Sequence, residues 1–141
     1  MNDFQEALEI GLQAADMAAR ARTEIDAVFV ELNAAVDAST RGRARIALTS
    51  MPFHDDKVSR SIALSGDDMP TALAVFKTSG DPPARRQIAR WRASPHGFPC
   101  TLIWDDRHVM CGDAEALRDE LVDLMRTPAV GFAIKAIVGT E

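Results

Sequence analysis

The stretch from Asp3 to about Asp37 has apolar residues in alternating steps of four and three. That spacing is typical of a helix that packs along one seam. The ten seam positions, of which eight are apolar, are Phe4, Leu8, Gly11, Ala15, Ala18, Arg22, Ile25, Phe29, Leu32 and Val36. A second apolar stripe beside the seam consists of Ala7, Ile10, Ala14, Met17, Ala21, Val28 and Ala35. The pattern therefore predicts one long helix over residues 1–40 with a wide apolar face.

The length of this helix favours a homodimer. Asp3 and Glu6 have the spacing of a helix start, and Gly42 offers a stop. About 35 helical residues make a rod of roughly 50 Å, whereas a compact domain of this chain length has a diameter of roughly 37 Å. We therefore expect a second copy to cover the overhang. The expected contact residues are Phe4, Leu8, Ile25, Phe29, Leu32 and Val36. The alternative is a break near Arg20–Glu24, where the seam is weakest, with two shorter helices on one core.

After Gly42 the apolar and polar residues alternate, which predicts strands. The predicted strands cover residues 43–49, 58–65, 71–77, 85–93, 100–104 and 107–111. The stretch from Arg85 to Ala93 suits an edge strand, although Pro83 and the residues after it also suit the start of a short helix. Asp105-Asp106, between the last two strands, predicts a two-residue hairpin turn.

Two short helices are predicted after the strands. Gly112-Asp113 provides a turn and a cap for the first, and Thr127-Pro128 starts the second. Strands grouped between helices indicate an α+β fold, here a long amino-terminal helix packed on an antiparallel sheet of about five strands and followed by two short carboxy-terminal helices. We expect a single domain over residues 1–141. Within it, the long helix is expected in 1–40, the sheet in 41–112 and the last helices in 113–139.

Composition is typical of a globular protein, with 47% hydrophobic and 26% charged residues. No apolar run reaches the roughly 18 to 20 residues that a membrane span needs. The amino terminus begins Met-Asn-Asp-Phe and lacks the basic start of a secretory signal. We therefore expect a cytoplasmic protein with no membrane contact.

The net charge of −5 is unevenly distributed. Residues 1–40 hold 8 acidic and 2 basic side chains, residues 41–92 hold 5 and 10, and residues 93–141 hold 8 and 4. The candidate basic surface consists of Arg43, Arg45, Arg85, Arg86, Arg90, Trp91 and Arg92. Arginines around an aromatic ring suit a nucleic-acid backbone with a stacked base. They equally suit a guarded sheet edge or the acidic first helix of a second subunit, and the overall acidity favours these readings.

The predicted hairpin brings Cys100 opposite Cys111, because both are equally distant from the turn. We expect two small buried residues, with a strained disulfide as the alternative. Together with His96 and His108 they have a spacing that suggests zinc. Alternation along the strand places His108 on the face opposite both thiols, however, and a closed zinc site needs four converging ligands. We therefore predict no metal and no cofactor.

His54-Asp55-Asp56 is the one cluster that resembles an acid/base site. The three residues are consecutive on a predicted polar loop, and the sequence identifies no nucleophile for them to activate. The chain also lacks a nucleophile elbow, a phosphate loop and a dinucleotide fingerprint. We therefore expect a solvated loop and predict no catalytic residue.

These observations favour a non-enzymatic homodimeric binding protein that acts through protein–protein contacts on itself and on a further protein partner. An adaptor, an inhibitor or a chaperone-like module fits, and small proteins of bacterial mobile elements often have this character. In length, acidity and element order the chain is loosely similar to dimeric secretion chaperones, from which its long first helix departs. The alternative is a nucleic-acid-binding protein that uses the arginine-rich strand 85–92.

Overall fold

The computed structural model describes residues 2–50 and 70–139. Its first element, helix α1, runs without a break over Asp3–Thr40, 38 residues, so the alternative of two shorter helices is wrong. At the helical rise this is a rod of about 57 Å. The start lies one residue before the acidic pair that was expected to cap it, because the Asn2 side chain accepts a hydrogen bond of 2.7 Å from the Gln5 N–H. Arg41, in the left-handed region, ends the helix.

Five strands follow and form one antiparallel sheet in chain order. They are β1 Ala44–Thr49, β2 Ala72–Gly80, β3 Pro83–Ala93, β4 Cys100–Trp104 and β5 Arg107–Cys111. The ambiguous stretch at Arg85 is therefore a strand, and the hairpin turn lies at Asp105-Asp106 as predicted. β3 pairs with both β2 and β4, so the edge-strand prediction for it is wrong. The predicted strand at 58–65 lies outside the described residues.

Two helices complete the chain, α2 over Ala114–Met125 and α3 over Pro128–Val138. Asp113 caps α2 by accepting the Ala116 N–H at 2.8 Å, and Thr127 caps α3 by accepting the Val130 N–H at 3.4 Å. The arrangement is α+β, with a long first helix, a five-stranded antiparallel sheet and two short last helices, which confirms the predicted fold class.

One hydrophobic core joins the three helices to one face of the sheet, here called the inner face. Strand residues on that face alternate with those on the outer face. The fully buried core side chains include Ile46, Leu73, Val75, Leu102, Leu117, Leu124 and Val130. β2 is buried on both faces, since Ala72, Ala74 and Phe76 on the outer face are also buried. The first five residues of β2, Ala72–Phe76, are therefore buried on both faces of the sheet.

Among the described residues, β1 is the first strand of the sheet, and Asn33 of α1 covers part of its outer edge. Its Nδ2 donates to the Ile46 carbonyl at 2.7 Å, and its Oδ1 accepts the Ile46 N–H at 2.7 Å. One side-chain amide thus supplies the two hydrogen bonds that a neighbouring strand would make at this residue. An unpaired strand edge invites association with other strands, so α1 both packs on the sheet and blocks part of its edge.

Candidate interaction surface on helix α1

Helix α1 divides near Ala21 into a packed half and a projecting half. In the packed half, Ala21, Ile25, Val28, Val36 and Thr40 are buried. At the boundary between the two halves, α1 is in close contact with the loop between β3 and β4. Gly97 is buried there at φ +91°, and a methyl group on it would collide with the Cβ atom of Ala21.

The projecting half, residues 3–20, is covered by no other element of the described chain. Among these residues Ala14 and Ala18 are half-buried and the others are exposed. It carries large apolar side chains that are 64% to 83% exposed, namely Phe4, Leu8, Ile10, Leu12 and Met17. Several large apolar side chains on one uncovered helix segment mark a candidate interaction site, and these five are here called the apolar patch. Phe4, Leu8 and Leu12 share one side of the helix, whereas Ile10 and Met17 lie about 120° or more around it. This patch is therefore the candidate functional site.

The six residues of the predicted dimer seam lie in two different environments. The prediction that they form one continuous contact is therefore corrected. Ile25 and Val36 are buried in the chain's own core. Phe29 and Leu32 are half-buried against that core, and the Phe29 ring meets Trp91 edge-to-face at 6.4 Å. These four positions pack in or against the chain's own core of helices and sheet, so they are not free for a second copy.

Of the predicted seam, Phe4 and Leu8 remain available to a partner. Ile10 and Met17 belong to the second stripe that was recognised in the sequence but was not assigned to a contact. Leu12 was missed altogether. Its position four residues after Leu8 was the available signal, since residues spaced by four are neighbours on a helix surface.

The projecting half is also acidic. It contains Asp3, Glu6, Glu9 and Asp16, and the first basic residues of the chain are Arg20 and Arg22, at its base. The apolar patch thus lies on a helix segment with an acidic tip, and at its base Arg20 and Arg22 are followed by Glu24 and Asp26.

A groove opens beside this base, between α1 and the loop that precedes β4. We call it the base groove. Its volume is about 330 Å³, and its walls include Arg22, Ile25, Leu48, Trp91, Pro95 and Gly97. The lining is mostly apolar, with the Arg22 guanidinium and the Asp26 carboxylate as its charged groups, which suits an aromatic or aliphatic side chain.

Two ion pairs attach α2 to its neighbours, and neither was predicted. Arg118 donates to Glu31 of α1 through two nitrogens at 2.9 and 3.1 Å, and the guanidinium lowers the pKa of the Glu31 carboxyl. Arg107 of β5 donates to buried Glu120 at 3.0 Å. Burial raises the pKa of the Glu120 carboxyl, and the charge of Arg107 offsets that effect in part.

Cys100 and Cys111 lie directly opposite each other, as the hairpin register predicts. Both thiols are free and fully buried. Burial raises the pKa of Cys100 to about 12 and that of Cys111 as well, so neither is a ready nucleophile.

His108 pairs with Ile103 on the outer face, away from both thiols, so the four candidate zinc ligands do not converge. Within residues 2–50 and 70–139 no group of three potential ligands is placed to hold a metal ion. The His54-Asp55-Asp56 cluster lies outside the described residues.

The structure divides the candidate basic surface. Trp91 is buried on the inner face, so its place on that surface was wrong. A register shift at Ile88 breaks the alternation of β3, because Leu73 pairs with Ala89 while Ala74 pairs with Gln87. The arginines have the following positions: Arg45, Arg85, Arg90 and Arg92 on the outer face, Arg86 in register with inner-face Val75, and Arg43 half-buried with its Nε donating to the Thr40 carbonyl.

Comparisons with known proteins found no match to a family model, a curated protein or a solved structure. In the part of the chain that the structure describes, none of the helices combines the length and the apolar character needed to cross a bilayer.

Proposed function

We propose that this protein is a homodimeric binding module that acts through protein–protein contacts and not through catalysis. The observation that carries the proposal is the apolar patch of the projecting half, Phe4, Leu8, Ile10, Leu12 and Met17, exposed on a continuous helix. Adaptors, inhibitors and chaperone-like modules have this character, and a further protein partner is part of the proposal.

The size of the patch supports self-association. On the side that holds Phe4, Leu8 and Leu12, burying roughly 100 Å² on each side chain in both copies removes about 600 Å² from water, which is the scale of a weak self-association. A free helix of this kind also gains little stability from its own hydrogen bonds, because most helical stability comes from packing an apolar face. A second copy of the chain supplies such a face, because each copy carries the same apolar residues.

The test replaces Leu8 with Glu and measures the mass by sedimentation equilibrium. Leu8 is exposed in the single chain, so Leu8→Glu leaves the globule folded while it places a charge in the proposed contact, which costs several kcal/mol. We expect monomers with an unchanged far-ultraviolet spectrum of the globule.

The matched control is Gln13→Glu, which adds the same charge to the projecting half at an exposed polar position. It should remain dimeric. Dimers of Leu8→Glu as stable as those of the control would show that the projecting half is not the contact.

A second candidate is nucleic-acid binding by the outer face. Arg90 and Arg92 line a groove of about 270 Å³ there together with Ile103, and both are exposed. Guanidinium groups on one face suit phosphates. Retention on single-stranded oligonucleotides that weakens steeply with salt supports this candidate, and a lack of retention at low salt removes it.

A further inference from the structure

The size of the side chains along the projecting half determines how two copies can pair. At its tip the seam has the large Phe4 and Leu8, and toward its base it has the small Gly11, Ala15 and Ala18. If two projecting halves run antiparallel about the midpoint between Phe4 and Arg22, the large Leu8 of one copy faces the small Ala18 of the other, and Phe4 faces Arg22. A parallel pair would place Phe4 against Phe4 and glycine against glycine, which leaves voids in a contact that needs dense packing.

Charge favours the same direction. The tip carries Asp3, Glu6 and Glu9, and the base carries Arg20 and Arg22, followed by Glu24 and Asp26. About the midpoint of residues 4 and 22, Glu6 of one copy is level with Arg20 of the other. Antiparallel projecting halves bring the acidic tip of one copy near the two arginines of the other, whereas a parallel pair brings like charges together. The dipoles of antiparallel helices also oppose each other.

The base groove lies where an antiparallel tip arrives. Phe4 and Arg22 are eighteen residues apart, which is five helical turns, so they project from the same side of α1 about 27 Å apart. Around a two-fold axis that crosses the seam midway between Phe4 and Arg22, Phe4 of one copy therefore lies beside Arg22 of the other. Gln13 is nine residues from each and points from the opposite side of the helix. Arg22 forms one wall of the base groove, whose apolar walls include Leu48, Trp91 and Pro95.

We propose that the base groove is the docking site for Phe4 of a second copy, with the two projecting halves antiparallel; this rests on the proposed dimer. The Phe4 ring enters the groove against Leu48 and Pro95, and the Arg22 guanidinium stacks on the face of the ring. Each copy thereby covers the exposed tip of the other, and the two contacts are equivalent by symmetry.

Disulfide trapping tests this arrangement with the variant Phe4→Cys/Arg22→Cys. The distance of about 27 Å between these positions on one helix excludes a bond within a chain. We expect mild oxidation to give a covalent dimer on a non-reducing gel. The wild-type chain is the background control, because its two cysteines are buried and the pKa of each thiol is raised.

The single variants decide the direction of the two projecting halves. Phe4→Cys alone and Arg22→Cys alone should each stay uncrosslinked, whereas their mixture should give the covalent dimer. Rapid crosslinking of Phe4→Cys alone would show parallel projecting halves and would overturn the inference while leaving the proposed dimer intact. A monomeric wild type would overturn both.

Phe4→Cys also removes the docking ring. A second measurement therefore tests the contact between the side chains without a crosslink. The dimer dissociation constants of Phe4→Ala, Leu48→Ala and the double variant form a cycle. We expect Phe4→Ala to weaken the dimer about tenfold or more, and the double variant to weaken it little further. Additive effects without crosslinks would show that a second copy's Phe4 does not occupy the groove.

Discussion

At the scale of single residues, Asn33 is the side chain whose role is easiest to isolate. It holds both backbone groups of Ile46 at the edge of β1. Asn33→Ala leaves these groups without their partners, which costs about 1–3 kcal/mol for each buried group. We expect the free energy of unfolding in urea to fall by an amount in that range. Gln13→Ala on the exposed projecting half should change it by less than about 0.5 kcal/mol. Equal stabilities would contradict the edge-covering role.

Gly97 contacts α1 at the boundary where the projecting half begins. Gly97→Ala puts a methyl group against Ala21 and into a backbone region that favours glycine. We expect a loss of about 1–3 kcal/mol in thermal or urea unfolding. Gly112→Ala is the matched control, because open space surrounds that glycine. Ala21→Gly in the same chain should recover part of the loss, and no recovery would show that the cost is due to the backbone alone.

Glu120 should make stability depend on pH. Its carboxyl pKa in the folded chain is raised above the ordinary value of 4.5, chiefly by burial. The folded state therefore binds this proton more tightly than the unfolded state, so stability falls as pH rises from about 4.5 through the raised pKa. Glu120→Gln removes that dependence. Unfolding free energies of both proteins between pH 4 and 7 should diverge in this direction, and parallel curves would contradict the assignment.

At the scale of elements, the two halves of α1 should differ in stability. Residues of the packed half are covered by the sheet and α2, whereas the projecting half has no cover within the described chain. An uncovered stretch of this length is a marginal helix. In hydrogen exchange at high dilution, we expect fast exchange over residues 5–18 and protection over residues 25–40. Raising the concentration should protect the projecting half selectively, and protection that is independent of concentration would argue against a second copy as its cover.

Local sequence patterns were sufficient to predict the helices and strands that the structure describes. Steps of four and three gave α1, alternation gave β1 and the hairpin of β4 and β5, and the caps at Asp113 and Thr127 gave the last two helices. The place of β3 in the sheet was not predictable from alternation, because a strand rich in arginine looks like an edge even when its neighbours pair on both sides. The register shift at Ile88 also reversed the faces of Arg85 and Arg86.

The candidate site was predictable only in part. An apolar seam has the same spacing whether it packs on the chain's own sheet or on another molecule. The sequence therefore identified Phe4 and Leu8 but could not separate them from Ile25 and Val36. The boundary between the two halves lies at a contact between Gly97 and Ala21, two residues that are distant in sequence, and local patterns carry no information about such contacts.

At the scale of the whole molecule, the described chain consists of a globule and the projecting half of α1, which is acidic and carries the apolar patch. The projecting half leaves a compact core in which one face of the sheet is covered by three helices, and the base groove lies where the projecting half meets the globule.

Light scattering coupled to gel filtration, applied to the unaltered chain over a range of micromolar concentrations, measures directly whether a second copy covers the projecting half. If the protein is a homodimer, we expect a particle with twice the chain mass of 15.3 kDa, which dissociates only on dilution. A particle of 15.3 kDa at every concentration would contradict it, because the projecting half would then remain exposed to water in the stable form of the protein.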